Sequence, residues 1–350
     1  MTIGYGMPTI KDVAKLAGVS TATVSSVLSG RRYVSPHLAT QVKRAVDALS
    51  YRPNTVARSL RDRRTTTIGV SVPDITNPFF NGIVRAVDAA ADAADYQVLL
   101  VSNDERADVE RKRIETLVAR QVDGLIIVPS DDEVAYVEYL QREGLPTVFV
   151  DRGSARLPFD LVVVDNATAA FAATRYLVSL GHRRIAALAT STVLQNIRER
   201  LDGFRGAMRD AGLPVDERLV ATPGFSLEAS VAAARALLAV DQAPTAVFCL
   251  TNRMALCAIR AAHALTLEIP HDVSVVTFDD VDWATAMGPE ITTVSQPLDE
   301  LGRHAFEVLK ARIDGEQGPL HRLALECRLV VRESTTPPSH SRAASSARTP

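Results

Sequence analysis

The sequence predicts an α/β protein in which an N-terminal, all-α helix-turn-helix headpiece precedes two doubly wound lobes built on parallel sheets. Two observations predict this organisation. Short helical segments with clear start and stop residues fill about the first 50 positions, and from residue 67 onward apolar, β-branched runs alternate with amphipathic helical stretches. Continuous apolar strands separated by helices are typical of parallel sheets that are covered on both faces.

The headpiece begins with the segment TIKDVAKLAGVSTATVSSVLSG, which has the pattern of two short helices joined by a turn. Thr9 is placed to cap the first helix, Asp12 can reach back to it, and Gly18 can end that helix in the left-handed conformation. Ser20 is a suitable cap for a second helix from Thr21 to about residue 28. This spacing indicates a helix-turn-helix, although a plain helical hairpin in a core is an alternative.

On the second helix, Val24 and Val27 are expected to face inward. The side chains that remain available to a partner are Thr21, Ala22, Thr23, Ser25 and Ser26. A third helix, capped at Ser35 and Pro36, would close the headpiece. The next segment, YRPNTVARSLR, contains a cap at Asn54 and about two turns of possible helix. So short a helix is marginal in water, and we expect it to form only against a partner.

Charge is distributed unevenly along a chain of 350 residues whose net charge is only −2. Residues 1–64 hold 11 of the 39 Lys and Arg but 3 of the 41 Asp and Glu, so a segment near +8 precedes a body near −10. Only the basic segment is suited to bind a polyanion. The hydrophobic content of 47% is ordinary for a globular protein of two or three domains.

Three cysteines, Cys249, Cys257 and Cys327, occur in apolar contexts without CxxC spacing, so we expect buried thiols in a reducing cytoplasm. The sequence has no run of about 18 apolar residues, and its start lacks the pattern of an export signal. These features predict a protein that neither spans a membrane nor is exported. No metal or cofactor motif is present, and we expect neither group.

We divide the chain into a headpiece, a hinge with its linker, a body and a disordered tail, at residues 8–51, 52–64, 65–333 and 334–350. Lobe 1 of the body would take residues 67–165 and 297–325, and lobe 2 residues 166–296 and 326–333. The predicted strands are 68–72, 97–102, 124–129, 146–151, 161–165, 184–189, 246–250 and 273–278. The predicted helices lie near 79–94, 108–120, 132–143, 167–180, 200–211, 227–239, 252–265 and 299–313.

Polar and aromatic side chains of the body collect where the predicted strands end. Such residues suit a small polyhydroxylated ligand, since charged groups fix pairs of hydroxyls and rings stack on C–H faces. We expect this ligand between the lobes, at the carboxyl ends of the strands. The candidates are Asn77, Phe79, Phe80, Asp151, Arg152, Asp165, Arg198, Arg200, Phe225, Thr251, Asn252, Asp279 and Gln296. For any one of them, a helix cap or a core position is an alternative.

These segments resemble the lactose-repressor (LacI/GalR) family of bacterial transcription regulators and the periplasmic ribose-type binding proteins. The resemblance runs from about Thr9 to Glu333 and includes VARSL, NPFF, VDR, VDN, RERLDGF, TNRMAL, FDD, ITTVSQP and LGRHA, in that order. It implies a periplasmic binding protein-like (type I) body. It also implies a repressor whose binding to a palindromic operator is controlled by a small effector held between the lobes.

The resemblance implies that the second helix enters the major groove and that the hinge helices of a homodimer pair in the minor groove. Thr21, Ala22 and Ser26 would contact bases, and Leu60 would insert between base steps at a deformable site. Three further contacts near the hinge would come from Asn54, Arg58 and Arg61. Relatives often have a larger polar residue in place of Ser26, so hydrogen-bonded readout from this helix is expected to be modest.

For the effector, the resemblance implies contacts from the strand-end residues, with either Arg198 or Arg200 as the arginine of the RER segment. Relatives usually have Asn-Asp where this chain has Thr251 and Asn252, which leaves the sugar unidentified. A monosaccharide is expected, with a pentose as one option. Release of DNA on effector binding is favoured, although the opposite response also fits the sequence. No leucine heptad ends the chain, which predicts a homodimer.

Two other classes of function fit the sequence less well. A solute-binding protein of a transporter would not need the helical segment at residues 9–61. An enzyme would need a catalytic motif, and GxGxxG, GxxxxGK, GxSxG and HExxH are absent from the sequence. Gly181 and His182 precede a predicted strand, where a helix-ending glycine followed by a capping histidine explains them better than catalysis does.

Overall fold

The structure, a computed structural model, describes residues 8–29, 32–51, 64–132, 134–154, 156–286 and 288–339. The chain divides after Thr65 into two compact units, residues 1–65 and 66–350. The predicted hinge helix lies outside the described residues, as do its candidate DNA contacts Asn54, Arg58, Leu60 and Arg61. Within the described ranges, no helix is both long enough and apolar enough to cross a membrane.

The headpiece consists of α1 (Ile10–Ala17), α2 (Thr21–Ser29) and α3 (Pro36–Ala48). The Asp12 carboxylate accepts hydrogen bonds from the Thr9 backbone N–H at 2.8 Å and from the Thr9 hydroxyl at 2.7 Å. Gly18 follows α1 with a φ of +63°, and the Thr23 N–H donates to Ser20 Oγ at 3.1 Å. The predicted caps at Thr9 and Ser20 and the turn at Gly18 are therefore confirmed, whereas the side chain of Ser35, which precedes α3, makes no cap hydrogen bond. The buried core of the headpiece comprises Val13, Ala14, Val24, Val42 and Ala45.

Lobe 1 of the body is built on a six-stranded sheet. Its strands are β1 (Thr67–Val72), β2 (Gln97–Ser102), β3 (Gly124–Ile127), β4 (Thr147–Asp151), β5 (Asp160–Val164) and β11 (Arg322–Leu325). They are all parallel and lie in the order β11-β5-β4-β3-β1-β2. Its helices are α4 (Pro78–Asp92), α5 (Ala107–Ala119), α6 (Val137–Glu143) and α12 (Leu298–Ile313). One apolar cluster packs the sheet against α4 and α12, and another packs it against α5 and α6.

Lobe 2 has a second six-stranded sheet. Its strands are β6 (Ile185–Leu188), β7 (Val220–Ala221), β8 (Ala246–Cys249), β9 (Ser274–Phe278), β10 (Thr292–Ser295) and β12 (Arg328–Val330). The order is β12-β10-β9-β8-β6-β7, and only β12 runs antiparallel to its neighbour. Its helices are α7 (Asn166–Ser179), α8 (Gln195–Asp210), α9 (Leu227–Leu238), α10 (Asn252–Ala264) and the short α11 (Trp283–Ala286). The predicted class, a helix-turn-helix headpiece followed by two doubly wound lobes, is confirmed.

Helix α6 begins at Val137, five residues later than the predicted start of 132. The preceding residues form a loop in which the Asp131 carboxylate accepts a hydrogen bond from the Val134 N–H at 3.0 Å. Val134 has a φ of +33°, which an α-helix does not tolerate. A short-range side-chain to backbone bond therefore replaces the first turn of the predicted helix.

We predicted disorder from Ser334 onward, and this is wrong for residues 334–339. Ser334 is fully buried, its Oγ donates to the Val275 carbonyl oxygen at 2.6 Å, and it accepts from the Thr292 N–H at 2.8 Å. The segment has no periodic apolar pattern, but its backbone and hydroxyl groups pair with strands of lobe 2. Composition could not reveal this, because hydrogen bonds of this kind need no apolar pattern.

His182 helps to fasten the same segment. Its Nε2 lies 3.0 Å from the Thr336 carbonyl oxygen and its Nδ1 lies 2.8 Å from Thr245 Oγ1. Burial lowers the pKa of His182, which favours the neutral ring at these two contacts. Gly181 ends α7 with a φ of +101°, as predicted, so this pair of residues has a structural role.

Helices α7 and α8 approach each other through a glycine. A Cβ added at Gly203 would lie 2.2 Å from the Ala167 carbonyl oxygen of α7, which is closer than atoms can pack. A Cβ added at Gly206, one turn further along α8, would meet only the Phe171 ring, at 3.5 Å. The spacing of the two helices is thus set by backbone contact at Gly203.

We predict that Gly203→Ala lowers the free energy of unfolding of the body by about 2–3 kcal/mol, because the helices must move apart. Gly206→Ala is the matched control, and it should leave stability unchanged or raise it by up to about 1 kcal/mol through better helix propensity. Urea unfolding followed by circular dichroism would measure both. Equal effects of the two substitutions would contradict the proposed contact.

Candidate functional site

The carboxyl ends of strands from both sheets meet at a cavity of about 60 Å³ between the two lobes. Residues after β1, β2 and β4 form the lobe 1 side, and residues after β6, β8 and β9 form the lobe 2 side. The predicted ligand residues that line it are Asn77, Phe79, Phe80, Asp151, Arg152, Arg200, Phe225, Thr251 and Asp279. Asp151, Arg152 and Asn196 also line a second cavity, of about 250 Å³.

A buried ion pair forms the lobe 1 wall. Arg152 is 4% exposed, and its Nη2 lies 2.7 Å from Glu105 Oε2. Asp151, the last residue of β4, is 2% exposed and has a φ of +69°. Burial raises the pKa of Asp151 to about 6, against the opposing effects of Arg152 and Arg200. A carboxylate so placed is short of hydrogen-bond donors and would accept them from a ligand.

Asp279 organises the lobe 2 wall from the end of β9. Its Oδ2 accepts hydrogen bonds from the Asn252 backbone N–H at 3.1 Å and from Asn252 Nδ2 at 2.9 Å. Its Oδ1 accepts from Gln296 Nε2 at 2.7 Å. Asn252 Nδ2 also donates to Asn77 Oδ1 of lobe 1 at 3.0 Å. Asn252 and Gln296 therefore support the wall through Asp279 and are not themselves among the lining residues.

Arg200 of α8 is 1% exposed and reaches the floor of the cavity. Its Nε donates to Asn166 Oδ1 at 2.8 Å, and its Nη1 donates to the Leu250 carbonyl oxygen at 2.7 Å. Its guanidinium carbon lies 3.8 Å from the centre of the Phe278 ring. Of the two arginines that the sequence left open, the structure thus brings Arg200 to the cavity, whereas Arg198 does not line it.

Asp165 is also away from the cavity. Its side chain is exposed and accepts a hydrogen bond from the Thr168 N–H at 3.0 Å, as the cap of α7. The helix-cap alternative therefore describes this residue. The next residue, Asn166, is buried and accepts a hydrogen bond from Arg200, and it does not line this cavity either.

Seven residues that line the cavity were missed from the sequence: Asp74, Glu105, Thr190, Leu194, Asn196, Ile197 and Arg253. Asn196 lies one turn before Arg200 on α8, which starts at Gln195 and not near residue 200. The i, i+4 spacing to Arg200 was a usable signal. Glu105 and Thr190 follow β2 and β6, so the rule that ligand groups collect at strand ends could have found both.

Among the residues that the structure describes, four buried polar atoms of the cavity wall have no hydrogen-bond partner: Asp151 Oδ1, Arg152 Nε, Thr190 Oγ1 and Asn196 Oδ1. Buried polar groups without partners are rare, and they identify places where another molecule completes the bonding. The described residues contain no group of three or more His, Cys, Asp or Glu side chains placed to hold a metal ion.

In the headpiece, the predicted DNA contacts on α2 differ in exposure. Thr21 and Ala22 are exposed, and Val24 is buried in the core as predicted. Partly exposed side chains are those of Thr23, Ser25 and Ser26. The start of α2 therefore presents small polar side chains on the surface of a basic segment, which is the arrangement that a recognition helix requires.

Comparison with known proteins gives matches over both parts of the chain. Residues 65–332 match the family described as periplasmic binding proteins and sugar binding domain of LacI family, and residues 9–54 match bacterial regulatory proteins, lacI family. The transcriptional regulator DegA of Bacillus subtilis is 34% identical over 332 residues, which are 94% of this chain and 98% of DegA. The transcriptional repressor PurR of Photobacterium profundum is 35% identical over 330 residues, with the same two coverages.

Solved structures are similar over nearly the whole chain. The transcriptional regulator CelR in complex with cellobiose has 36% identity and a TM-score of 0.71, and the match covers 93% of this chain and 99% of CelR. The Lac repressor dimer bound to operator and the anti-inducer ONPF has 27% identity and a TM-score of 0.84, and covers 95% of this chain and 100% of the repressor chain.

The raised pKa of Asp151 predicts a pH-dependent stability. Because the buried carboxyl prefers its neutral form, its contribution to stability is present below its ordinary pKa of 3.8 and is lost as the pH rises through about 6. The asparagine in Asp151→Asn cannot ionise. As the pH rises from 5 to 8, the free energy of unfolding of this variant should therefore increase relative to that of the wild type. The expected gain over this range is roughly 1.4 kcal/mol, because only about one pH unit separates pH 5 from a pKa of about 6.

Urea unfolding at several pH values would measure this difference. Asp165→Asn is the matched control, because it removes an exposed carboxylate and keeps a helix cap. Its difference from the wild type should not depend on pH in this range. A flat difference for Asp151→Asn as well would contradict the raised pKa.

Proposed function

This chain belongs to the LacI family of bacterial regulatory proteins and is a DNA-binding transcriptional regulator controlled by an effector, and we propose that the effector is a neutral sugar held between the two lobes. We propose further that the regulator is a repressor without catalytic activity and that it acts in the cytoplasm, where its DNA is. The family functions as dimers, and a dimer presents two headpieces to a palindromic operator.

The four cavity atoms without partners carry the proposal for a sugar. Asp151 Oδ1 and Asn196 Oδ1 can only accept hydrogen bonds, Arg152 Nε can only donate, and Thr190 Oγ1 can do either. A hydroxyl group both donates and accepts, so a polyol can satisfy all four. A phosphate oxygen can only accept hydrogen bonds, so a phosphate would leave Asp151 Oδ1 and Asn196 Oδ1 without donors and would bring its negative charge close to these oxygens. The aromatic side chains of Phe79, Phe80 and Phe225 also line the cavity, where they would contact the C–H groups of a sugar ring.

The position of the cavity between the lobes supports control by an effector. Residues of both lobes line it, so a sugar held there would contact both walls. Those contacts would favour one arrangement of the lobes over others. This coupling is what an effector-controlled regulator needs.

For DNA binding, we propose contacts from the exposed start of α2, at Thr21, Ala22 and Ser26, and from the hinge, with Leu60 in the minor groove. The excess of basic residues before residue 65 supports a DNA-binding role for this segment. To reverse operator occupancy from 99:1 to 1:99, the effector must favour one state by about 5.5 kcal/mol. Induction is the response that we favour.

Operator binding tests the proposal. We expect the purified protein to bind a palindromic site upstream of its own gene and to be released by one sugar from a panel of pentoses, hexoses, cellobiose and sugar phosphates. Fluorescence anisotropy would measure both events. Tighter operator binding in the presence of a purine or a phosphate would instead indicate a corepressor and would refute the neutral sugar.

Two substitutions test the division of labour between the units. Leu60→Ala should weaken operator binding and leave sugar binding intact, because it removes the proposed wedge. Asp151→Ala should weaken sugar binding by roughly 10- to 100-fold, since a hydrogen bond to a charged group is lost, and should leave operator binding without sugar intact. Damage to both activities by either change, in a folded protein, would contradict this division.

A further inference from the structure

Asp132, in the loop after β3 of lobe 1, contacts helix α8 of lobe 2 through its carboxylate. Asp132 Oδ1 accepts a hydrogen bond from the backbone N–H of Gln195, the first residue of α8, at 3.1 Å. Asp132 Oδ2 accepts from Arg198 Nη2 in the same turn of that helix. The first N–H groups of a helix have no acceptor within the helix and carry partial positive charge, so a carboxylate is a matched partner for them.

Arg198 is held in position by its own lobe. Its Nη1 donates to the Thr192 carbonyl oxygen at 2.7 Å and to the Val193 carbonyl oxygen at 3.0 Å. These two bonds fix the guanidinium against the loop before α8 and leave Nη2 directed at Asp132. The arginine that the sequence suggested as a ligand contact therefore belongs to a contact between the lobes.

Asp132 is held in position from the other side by a buried carboxyl group. Glu110 is 1% exposed, and its Oε2 accepts from the Ser130 N–H at 2.6 Å, while its Oε1 accepts from the Tyr136 hydroxyl. Glu110 thereby anchors the loop on both sides of Asp132. Because both partners are already ordered within their own lobes, little conformational entropy is lost when they meet.

This contact is separate from the effector cavity. Neither Asp132 nor Arg198 lines the cavity of about 60 Å³. By contrast, the interlobe hydrogen bond from Asn252 to Asn77 uses a side chain that a bound sugar would touch. The Asp132 contact can therefore form in the closed cleft whichever sugar is bound.

We propose that Asp132 is a positioning residue that holds the two lobes closed and thereby raises the affinity of the cleft for its effector without touching it. Only the second half of this statement rests on the proposed function. The apparent affinity of a ligand for a closed form falls in proportion to the fraction of molecules that is closed, so loss of the contact weakens binding.

Distances between the lobes in the effector-free protein test the closure. Spin labels would be placed at Arg142→Cys on lobe 1 and Arg209→Cys on lobe 2, both exposed positions, in the full-length chain with Cys327→Ser. Cys249 and Cys257 are buried and stay unlabelled. Pulsed electron paramagnetic resonance would give the distance distribution of the wild type, Asp132→Asn, Asp132→Ala and Glu138→Gln.

We expect the ratio of open to closed molecules to rise by roughly two- to ten-fold in Asp132→Ala, because a carboxylate partner of a helix start and of a half-exposed arginine is lost. In Asp132→Asn the ratio of open to closed molecules should rise less, because the amide oxygen can still accept a hydrogen bond from the Gln195 N–H. Glu138→Gln removes an exposed carboxylate from the same surface groove and should not change the distances. Identical distributions for all four proteins would overturn the proposal.

Calorimetric titration with cellobiose tests the effect on affinity. Asp132→Ala should weaken binding by about the same factor as its shift in the distance ratio, and Glu138→Gln should not. Unchanged cellobiose affinity in a variant whose lobes have opened would overturn the second half of the proposal. If the wild type does not bind cellobiose, that result counts against cellobiose as the effector, while the distances still decide whether Asp132 closes the lobes.

Discussion

The body of this protein depends on one constraint: charged side chains are buried in the cleft between its two lobes. Asp151, Arg152, Arg200 and Asp279 are each at most 4% exposed. A buried charge is costly unless it is paired and hydrogen-bonded, so each one must find its partners at a fixed place. Most of these partners lie in the same lobe as the charge, so each wall of the cleft is held in a defined geometry by its own lobe.

Arg200, one of these buried charges, contacts the segment in which the chain passes from lobe 1 to lobe 2. It donates to Asn166, which begins α7 directly after the last lobe 1 strand of the first pass, and to the backbone at the end of β8. Its guanidinium carbon lies 3.8 Å from the centre of the Phe278 ring at the end of β9. One side chain thus ties the start of a segment that crosses between the lobes to two strand ends of lobe 2.

The two aspartates at the cleft share an unusual backbone conformation. Asp151 ends β4 with a φ of +69°, and Asp279 follows β9 with a φ of +74°. Positive φ is uncommon for residues other than glycine and is concentrated at sites where function requires it. Here it turns each carboxylate from the line of its strand toward the cleft. An aspartate with positive φ therefore occurs at a strand end on each of the two opposite walls of the site.

The sequence by itself determined the helix caps of the headpiece, the alternation of the longer buried strands with helices, and the collection of Asn77, Asp151 and Asp279 at strand ends. These features are local, because a cap needs only its neighbours and a doubly covered strand is apolar throughout. Only the tertiary structure decided which of Arg198 and Arg200 reaches the cavity. Two residues that are two positions apart on a helix point to nearly opposite faces, and only the packing of α8 shows which face meets the cavity.

The tertiary structure also decided the features whose partners are distant in sequence. Strands β7, β10, β11 and β12 are short, and β11 alternates exposed with half-buried residues, so their apolar pattern is weak. Ser334 is ordered by strands that precede it by about 40 to 60 residues. A hydrogen bond or ion pair across such a separation leaves no periodic signal along the chain, because its energy depends on where the fold brings the two groups.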